Sequence, residues 1–382
     1  MKKLLLVICA VFSLNILMAQ KNVLIEEVTG TWCTYCPSGI YYMDSLLSAN
    51  SNVIAIAVHN QTDPMAYNEY AEKLNLVEAP SASIGRRYIG KAPKEWFEFV
   101  EKENEEKPKA TVNVETTFND STRLLTAVVT ITALEDLEGK YAVTGVVTED
   151  AVTGPSPYYD QKNAYAKLYG VYVGGFENMP DPIPANRMAY DPVARQLLGA
   201  FEGEAGFPAT LASGQSFAQT FTYSIPENYD HNYLKVVGIF LDENGMVDNA
   251  GISKYLNGQD NAAPKFTSAP VTENYAAVEY LYNIYFHDTD DNVLTVTVKE
   301  KPEWLSFEQY DNKSAAIYGI TDKEGEYEVV LSVSDGKTET LQSYTIVVES
   351  PLGANWTSLG ERGFSTYGYN CQILGTCSYD GK

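Results

Sequence analysis

The sequence predicts a multidomain chain, α/β at its N-terminal end and all-β beyond. Three observations carry that reading. Residues 20–107 alternate short apolar runs with helically spaced segments in the order βαβαββα, and the run 52–58 is apolar enough to be a strand covered on both faces of a parallel sheet. From residue 110 onward, strands of alternating apolar and polar residues follow one another, and the chain's 28 tyrosines, with many Thr and Val, favour strands there. The stretches 101–109, with its run of charges, and 257–264 have the composition of linkers.

The first nineteen positions are not expected to belong to the fold. Lys2 and Lys3, the apolar run from Leu4 to Leu17 and the small residue Ala19 read as a secretory signal over residues 1–19. Cys9 lies inside that run, without the small residues that precede a lipidated cysteine, and four cysteines remain after cleavage. No later run has the eighteen or so apolar residues of a membrane helix, so membrane association is expected to be peripheral at most. The charge is -23, and becomes -25 once Lys2 and Lys3 are lost, which argues against nucleic acid and anionic lipid as partners.

The first strand, around Val23-Leu24-Ile25, runs into Gly30-Thr31-Trp32-Cys33-Thr34-Tyr35-Cys36-Pro37. A strand that delivers two cysteines, two residues apart, to the first turn of a helix suits thiol chemistry. Unpaired N–H groups and the macrodipole at the helix start favour a Cys33 thiolate, expected to be the more exposed attacker. Cys36, one turn on, would attack a mixed disulfide at Cys33 and release the client. Pro37 costs little in the first turn, where its missing N–H would be unpaired anyway. A structural zinc site would need a second close ligand pair, and Cys371 and Cys377 have five residues between them far along the chain. A permanently closed disulfide, or a fold kept only as a scaffold, remains an open alternative.

The cysteine helix is expected to run through Leu46-Leu47, and the buried strand 52–58 follows. Asp63-Pro64 reads as an N-cap and first-turn proline opening a helix through Leu74. Short strands are expected at Ser81–Ile84 and Arg87–Ile89, and Pro93 opens a last helix through Trp96, Phe97 and Val100. His59 ends the second strand on the sheet edge that carries the cysteines, either near a thiolate or substrate or as a bystander. Glu26 and Glu27 are adjacent, so strand alternation sends them to opposite faces.

Trp-Cys-x-x-Cys-Pro after a first core strand resembles the thioredoxin-like superfamily. The resemblance implies that residues 20–107 form a thioredoxin-like fold, that Cys33 and Cys36 form a redox-active disulfide needing no other cofactor, and that Trp32 belongs to the substrate-binding surface. It further implies a cis peptide before Pro80 facing the cysteines, with the Ala79 backbone free to pair with an extended substrate. Glu27 would be a buried carboxylate beneath Cys36, taking its proton during resolution. Partners would then be protein thiols or disulfides.

A β-sandwich is expected over residues 110–258, with strands near Thr111–Thr116, Leu125–Ile131, Tyr141–Val147, Ser216–Tyr223 and Leu234–Leu241. Residues 154–213, rich in Pro, Gly, Tyr and Asn, are too long for a hairpin loop and read as a recognition surface. The exported cysteine motif followed by Tyr190-Asp191-Pro192-Val193-Ala194-Arg195, Gly199 and Val247-Asp248-Asn249-Ala250 resembles the outer membrane protein twenty-eight related family. That resemblance implies a place in the periplasm, at the outer membrane periphery or on the cell surface.

Residues 264–350 read as a third unit with strands near Tyr282–Phe286, Leu294–Val298, Tyr327–Val333 and Tyr344–Val348 and Trp304 as core anchor. Through Asp288-Thr289-Asp290-Asp291-Asn292, Pro302-Glu303-Trp304-Leu305 and Ser334-Asp335-Gly336 it resembles bacterial immunoglobulin-like and cadherin-like surface modules. Asp288, Asp290, Asn292 and Asp335 would hold calcium, or else form a solvated turn. The tail 351–382 looks like the opening of a β-propeller repeat, with Cys371 and Cys377 as a structural disulfide in an oxidising compartment. Two functions follow. One is an exported thiol-disulfide oxidoreductase. The other is a surface binding or adhesion protein that engages a protein or glycan and keeps the cysteine domain as a scaffold.

Overall fold

A strand as apolar as Val53–His59 needs cover on both faces and a hydrogen-bonded neighbour on each side, and the fold supplies all four. The computed structural model describes residues 21–350 except 169, 291 and 292. The expected signal segment, the tail with Cys371 and Cys377, and Asn292 therefore lie outside the described residues. The N-terminal elements are β1 (Val23–Thr29), α1 (Cys36–Ala49), β2 (Val53–His59), α2 (Asn68–Leu74), β3 (Ser81–Ile84), β4 (Tyr88–Lys91) and α3 (Trp96–Asn104). Next come β5 (Ala110–Asn119), β6 (Leu124–Ala133), β7 (Leu137–Glu138), β8 (Ala142–Glu149), β9 (Val193–Leu198), β10 (Thr210–Leu211), β11 (Ser216–Ser224), β12 (Leu234–Leu241) and β13 (Val247–Ile252). The remaining strands are β14 (Lys265–Phe266), β15 (Glu273–Tyr275), β16 (Tyr280–His287), β17 (Thr295–Glu300), β18 (Leu305–Gln309), β19 (Ser314–Gly319), β20 (Gly325–Ser334) and β21 (Glu339–Glu349).

The described chain is mostly β-sheet, in several sheets. The largest has eight strands in the order β13-β12-β8-β9-β2-β1-β3-β4, with β2 parallel to both β1 and β9. The expected division near residue 110 is therefore no break in this sheet, because strands from both sides of it pair through β2 and β9. Alternation along a strand shows which face is buried but not which strand lies alongside, so β9, inside the stretch read as a long surface loop, was not legible.

Each face of the sheet has its own core. Leu24, Val28, Ile56 and Val58 pack with Tyr70 and Leu74 of α2 and with Val146, Val237 and Ile239 further along. On the opposite face Val23, Ile25 and Ala55 pack with Met43 and Leu46 of α1 and Trp96 and Val100 of α3. The three-stranded sheet β11-β6-β5 closes a sandwich through Val129, Ile131, Val147, Val236 and Phe240. The last unit is a second sandwich, β14-β16-β19-β18 against β15-β21-β20-β17, around Ile284, Ile317, Leu331 and Ile346. Trp304 sits at the rim of that core, half-buried and edge-on to Tyr280 and Tyr327.

Two local expectations change. Glu103, inside the charged stretch read as a linker, is buried and paired with Lys21 at 2.7 Å and Arg87 at 3.2 Å. The helix expected from Asp63 starts only at Asn68, because Asp63 turns its carboxylate toward the cysteine loop.

Candidate functional site

The turn between β1 and α1 carries the cysteines. Cys33 N–H donates to Gly30 O at 3.1 Å, and α1 begins at Cys36 with Pro37 in its first turn. Cys33 and Cys36 are joined by a disulfide across that first turn. The Ala79–Pro80 peptide is cis, and Ala79 O lies 3.4 Å from Cys33 Sγ, so this loop borders the pair directly.

Glu27 packs against Gly39 of α1 beside Pro80. It is buried, and Gly39, one helical turn after Cys36, leaves the space that its carboxyl fills: a Cβ on Gly39 would overlap Glu27 Oε1 and come within 3.0 Å of Pro80 Cβ. Glu27 Oε1 has no hydrogen-bond partner. Burial, with a smaller contribution from the Asp44 charge, pushes the Glu27 carboxyl up to about 8. Near neutral pH it is a buried, protonated acid beside Pro80 and the first turn of α1.

Glu26 makes the contrast. It is buried on the other face, where Arg86 holds it with Nη2 at 2.9 Å and the Tyr70 hydroxyl donates to it at 2.6 Å. Both carboxylates are buried because β1 is covered on both faces, and Arg86 gives a partner only to Glu26.

His59 braces the cysteine loop from behind. Its Nδ1 is 3.1 Å from Asp63 Oδ2, its ring meets Tyr190 edge-on at 5.5 Å, and Thr31 N–H donates to the same Asp63 oxygen at 2.6 Å. Burial alone would raise the Asp63 carboxyl, but His59 and the N–H groups of Thr31 and Met65 hold it below its usual range. Trp32 is tied down as well, its indole N–H donating to Asn60 O at 3.1 Å. Among the described residues no hydrogen bond joins His59 or Trp32 to the Cys33 sulfur.

The exposure of Cys33 departs most from expectation. Only 3 % of its surface is accessible and none of that of Cys36, and residues 157–168 and 170–190 fold back against the loop as a strap. Gln161 is its clasp. Its side-chain amide, buried, lies within hydrogen-bond range of the carbonyls of Cys33 (2.9 Å), Gly30 (3.3 Å) and Thr31 (3.4 Å). Lys162 N–H donates to Thr31 O and Ala164 N–H to Thr34 O, while Tyr165 meets Tyr35 edge-on at 5.9 Å. The strap rests on its own apolar cluster of Met65, Val152, Ile183, Met188 and Tyr190. Gln161 had no signature in the sequence, since a lone glutamine 128 residues from Cys33 has no spacing to read.

The described acidic residues of the expected calcium turn are engaged in hydrogen bonds within the protein. Asp290 accepts from Ala262 N–H and the Tyr255 hydroxyl, and Asp288 Oδ1 accepts from Asp290 N–H at 2.9 Å. Asp335 accepts from Lys337 and Thr338 N–H and from the Asn261 amide. These oxygens meet N–H and O–H donors, and among the described residues no group of three or more His, Cys, Asp or Glu side chains is arranged to hold a metal. No described helix is long and apolar enough to cross a membrane.

No family model matches the chain, and no curated protein matches it. Among solved structures, an endo-fucoidan hydrolase of glycoside hydrolase family 107 is 22% identical over 38% of this chain and 22% of its own, with a TM-score of 0.23. The SrpA adhesin from Streptococcus sanguinis is 12% identical over 24% of this chain and 59% of its own, with a TM-score of 0.20. A Titin M10–Obscurin like 1 Ig complex is 16% identical over 24% of this chain and 98% of its own, at 0.19. The chain thus spans about a fifth of the hydrolase, and likenesses at these scores are local overlaps from which no activity is taken.

Proposed function

We propose that the chain is an exported thiol-disulfide oxidoreductase with a thioredoxin-like N-terminal unit, whose cysteine pair is sheltered by the strap. The observation that carries the reading is the Cys33–Cys36 disulfide at the start of α1, with the buried, protonated Glu27 against Gly39 of the same helix. In the reduced protein the Cys33 thiolate, favoured by the helix N-terminus, attacks a sulfur of a client disulfide. One client sulfur leaves as a thiolate and takes a proton, and the other stays bonded to Cys33. Glu27, once ionised, accepts the Cys36 proton; the Cys36 thiolate then attacks Cys33 Sγ, the mixed bond breaks, and the client leaves with its second sulfur reduced. The reverse sequence oxidises a client dithiol. Ala79 O, beside Cys33 Sγ, marks where an extended client backbone would lie. The strap must move first, because a cysteine with 3 % of its surface accessible gives a client no line of attack.

A second reading is favoured by that same burial. The pair would be a structural staple in a cell-surface or outer-membrane-associated binding protein of the outer membrane protein twenty-eight related type. The test is capture by the reduced Cys36→Ser protein. Mixed disulfides with client proteins support exchange chemistry. No capture, together with a wild-type pair that excess dithiothreitol leaves oxidised under native conditions, would leave the staple.

A further inference from the structure

We infer that the outer edge of β11 is a self-association site, where a second copy of this chain adds its own β11 antiparallel and joins the two three-stranded sheets into one. β11 is an edge strand of the sheet β11-β6-β5, bonded to β6 in unbroken register from Ser216 opposite Thr132 to Ser224 opposite Leu124. Beyond its two ends Ala133 N–H donates to Gln215 O at 2.9 Å, and Ile225 N–H donates to Arg123 O at 2.8 Å. Backbone groups alternate in direction along a strand, so those of Ser216, Ala218, Thr220, Thr222 and Ser224 point away from β6. Among the described residues no strand pairs with that side, where the Gln219 side-chain amide reaches Thr220 O at 3.4 Å.

Two features select the occupant. Exposed edges are normally blunted by charge, proline, a bulge or brevity, and the other edge strands of this fold follow that rule. Those longer than two residues carry Lys91 (β4), Glu115 (β5), Asp248 (β13), Glu273 (β15), Lys299 (β17) or Glu308 (β18). β11 has nine residues with neither a charge nor a proline. In a chain of net charge -23 two copies repel over most of their surface, and this uncharged edge is where they can approach.

The order of residues along β11 is the second feature. Turned end for end about Thr220, the strand matches itself: Ser216 meets Ser224, Phe217 meets Tyr223, Ala218 meets Thr222, and Thr220 meets its own copy. Only Gln219 against Phe221 breaks the match. A two-fold axis at Thr220 makes these pairs cross-strand neighbours, with the aromatic ones on the side where Phe217 and Tyr223 already pack against the sandwich core. An unrelated strand would use the hydrogen bonds without using this symmetry.

The test is sedimentation velocity of the full chain over a range of concentrations, with hydrogen exchange on the associated form. We expect a concentration-dependent dimer, the same with and without dithiothreitol, in which the Ala218, Thr220 and Thr222 amides exchange more slowly than in the monomer. Thr220→Asp sets two carboxylates opposite each other at the axis and should raise the dissociation constant by about tenfold or more. Thr220 is exposed, so the fold should stand; Ala218→Lys, also at an exposed position, is an independent second variant with the same expected direction. A chain monomeric at every concentration, a dimer unchanged in both variants or dissolved by dithiothreitol, or one that leaves these amides unprotected would each overturn the proposal.

Discussion

Glu26 and Glu27 are neighbours on one strand, both buried on opposite faces of the same sheet, and only Glu26 has a cationic partner. The pairing of Glu26 with Arg86 makes it structural. Glu27, isolated beneath the first turn of α1, is left able to hold and release a proton near physiological pH.

Stability should therefore fall as the solution becomes alkaline. The Glu27 carboxyl has an ordinary value of 4.5 and sits at about 8 in the fold, so between these pH values the folded state holds the extra proton. Its contribution is complete below 4.5 and lost as pH rises through 8, at a slope of about 1.4 kcal/mol per pH unit. In urea titrations Glu27→Gln should match wild type near pH 4.5 and exceed it in stability near pH 8. Parallel pH profiles for the two proteins would show that Glu27 is not protonated in the fold.

Unclasping the strap should expose the disulfide. Gln161→Ala removes the amide that gathers the Gly30, Thr31 and Cys33 carbonyls, and a loss of about 1.4 kcal/mol in closing the strap is a tenfold gain in its open population. Reduction of the native protein by dithiothreitol, followed by thiol titration, should accelerate by about that factor. An unchanged rate would mean that the strap does not limit access.

Arg86→Met should cost about 3–5 kcal/mol, because it leaves the Glu26 carboxylate buried without its cation. The double variant with Glu26→Gln should recover much of the loss. Equal denaturation midpoints for single and double variants would argue against an uncompensated charge as the cause.

The contact of Asp191, which follows the strap, with the third unit should depend on pH. Burial disfavours a charged His287 ring, but the Asp191 carboxylate outweighs it and raises the ring's value. Asp191 sits at about 2, held down against its burial by His287 and hydrogen bonds from Ala151 and Thr289. The histidine contribution is full below 6.5 and fades as pH rises through its raised value; that of Asp191 is full above 3.8 and fades as pH falls through about 2. Between 3.8 and 6.5 the pair is complete, and there His287→Gln should cost roughly 2–3 kcal/mol in chemical denaturation. A cost that stays the same into alkaline pH would rule out a charged histidine.

Much of the architecture was legible because it is local. The run 52–58 became β2, the cysteine helix runs to Ala49, and Ser81–Ile84 is a strand, since burial periodicity within a few residues sets each one. Asp63 shows where this fails. Followed by Pro64 it has the pattern of a helix cap, yet its carboxylate accepts from Thr31 across the sheet edge, and α2 begins five residues later.

By itself the sequence determined that two cysteines stand at the start of a helix after a strand, that two acids point to opposite faces, and that strands dominate after residue 110. These follow from spacing along one backbone, which a helix or strand converts directly into direction. Only the tertiary structure decided that β9 continues the sheet beside β2, that Arg86 pairs with Glu26 and leaves Glu27 alone, and that Gln161 closes over Cys33. Each of these joins residues far apart in the chain, where closure depends on the packing of everything between them and leaves no local pattern.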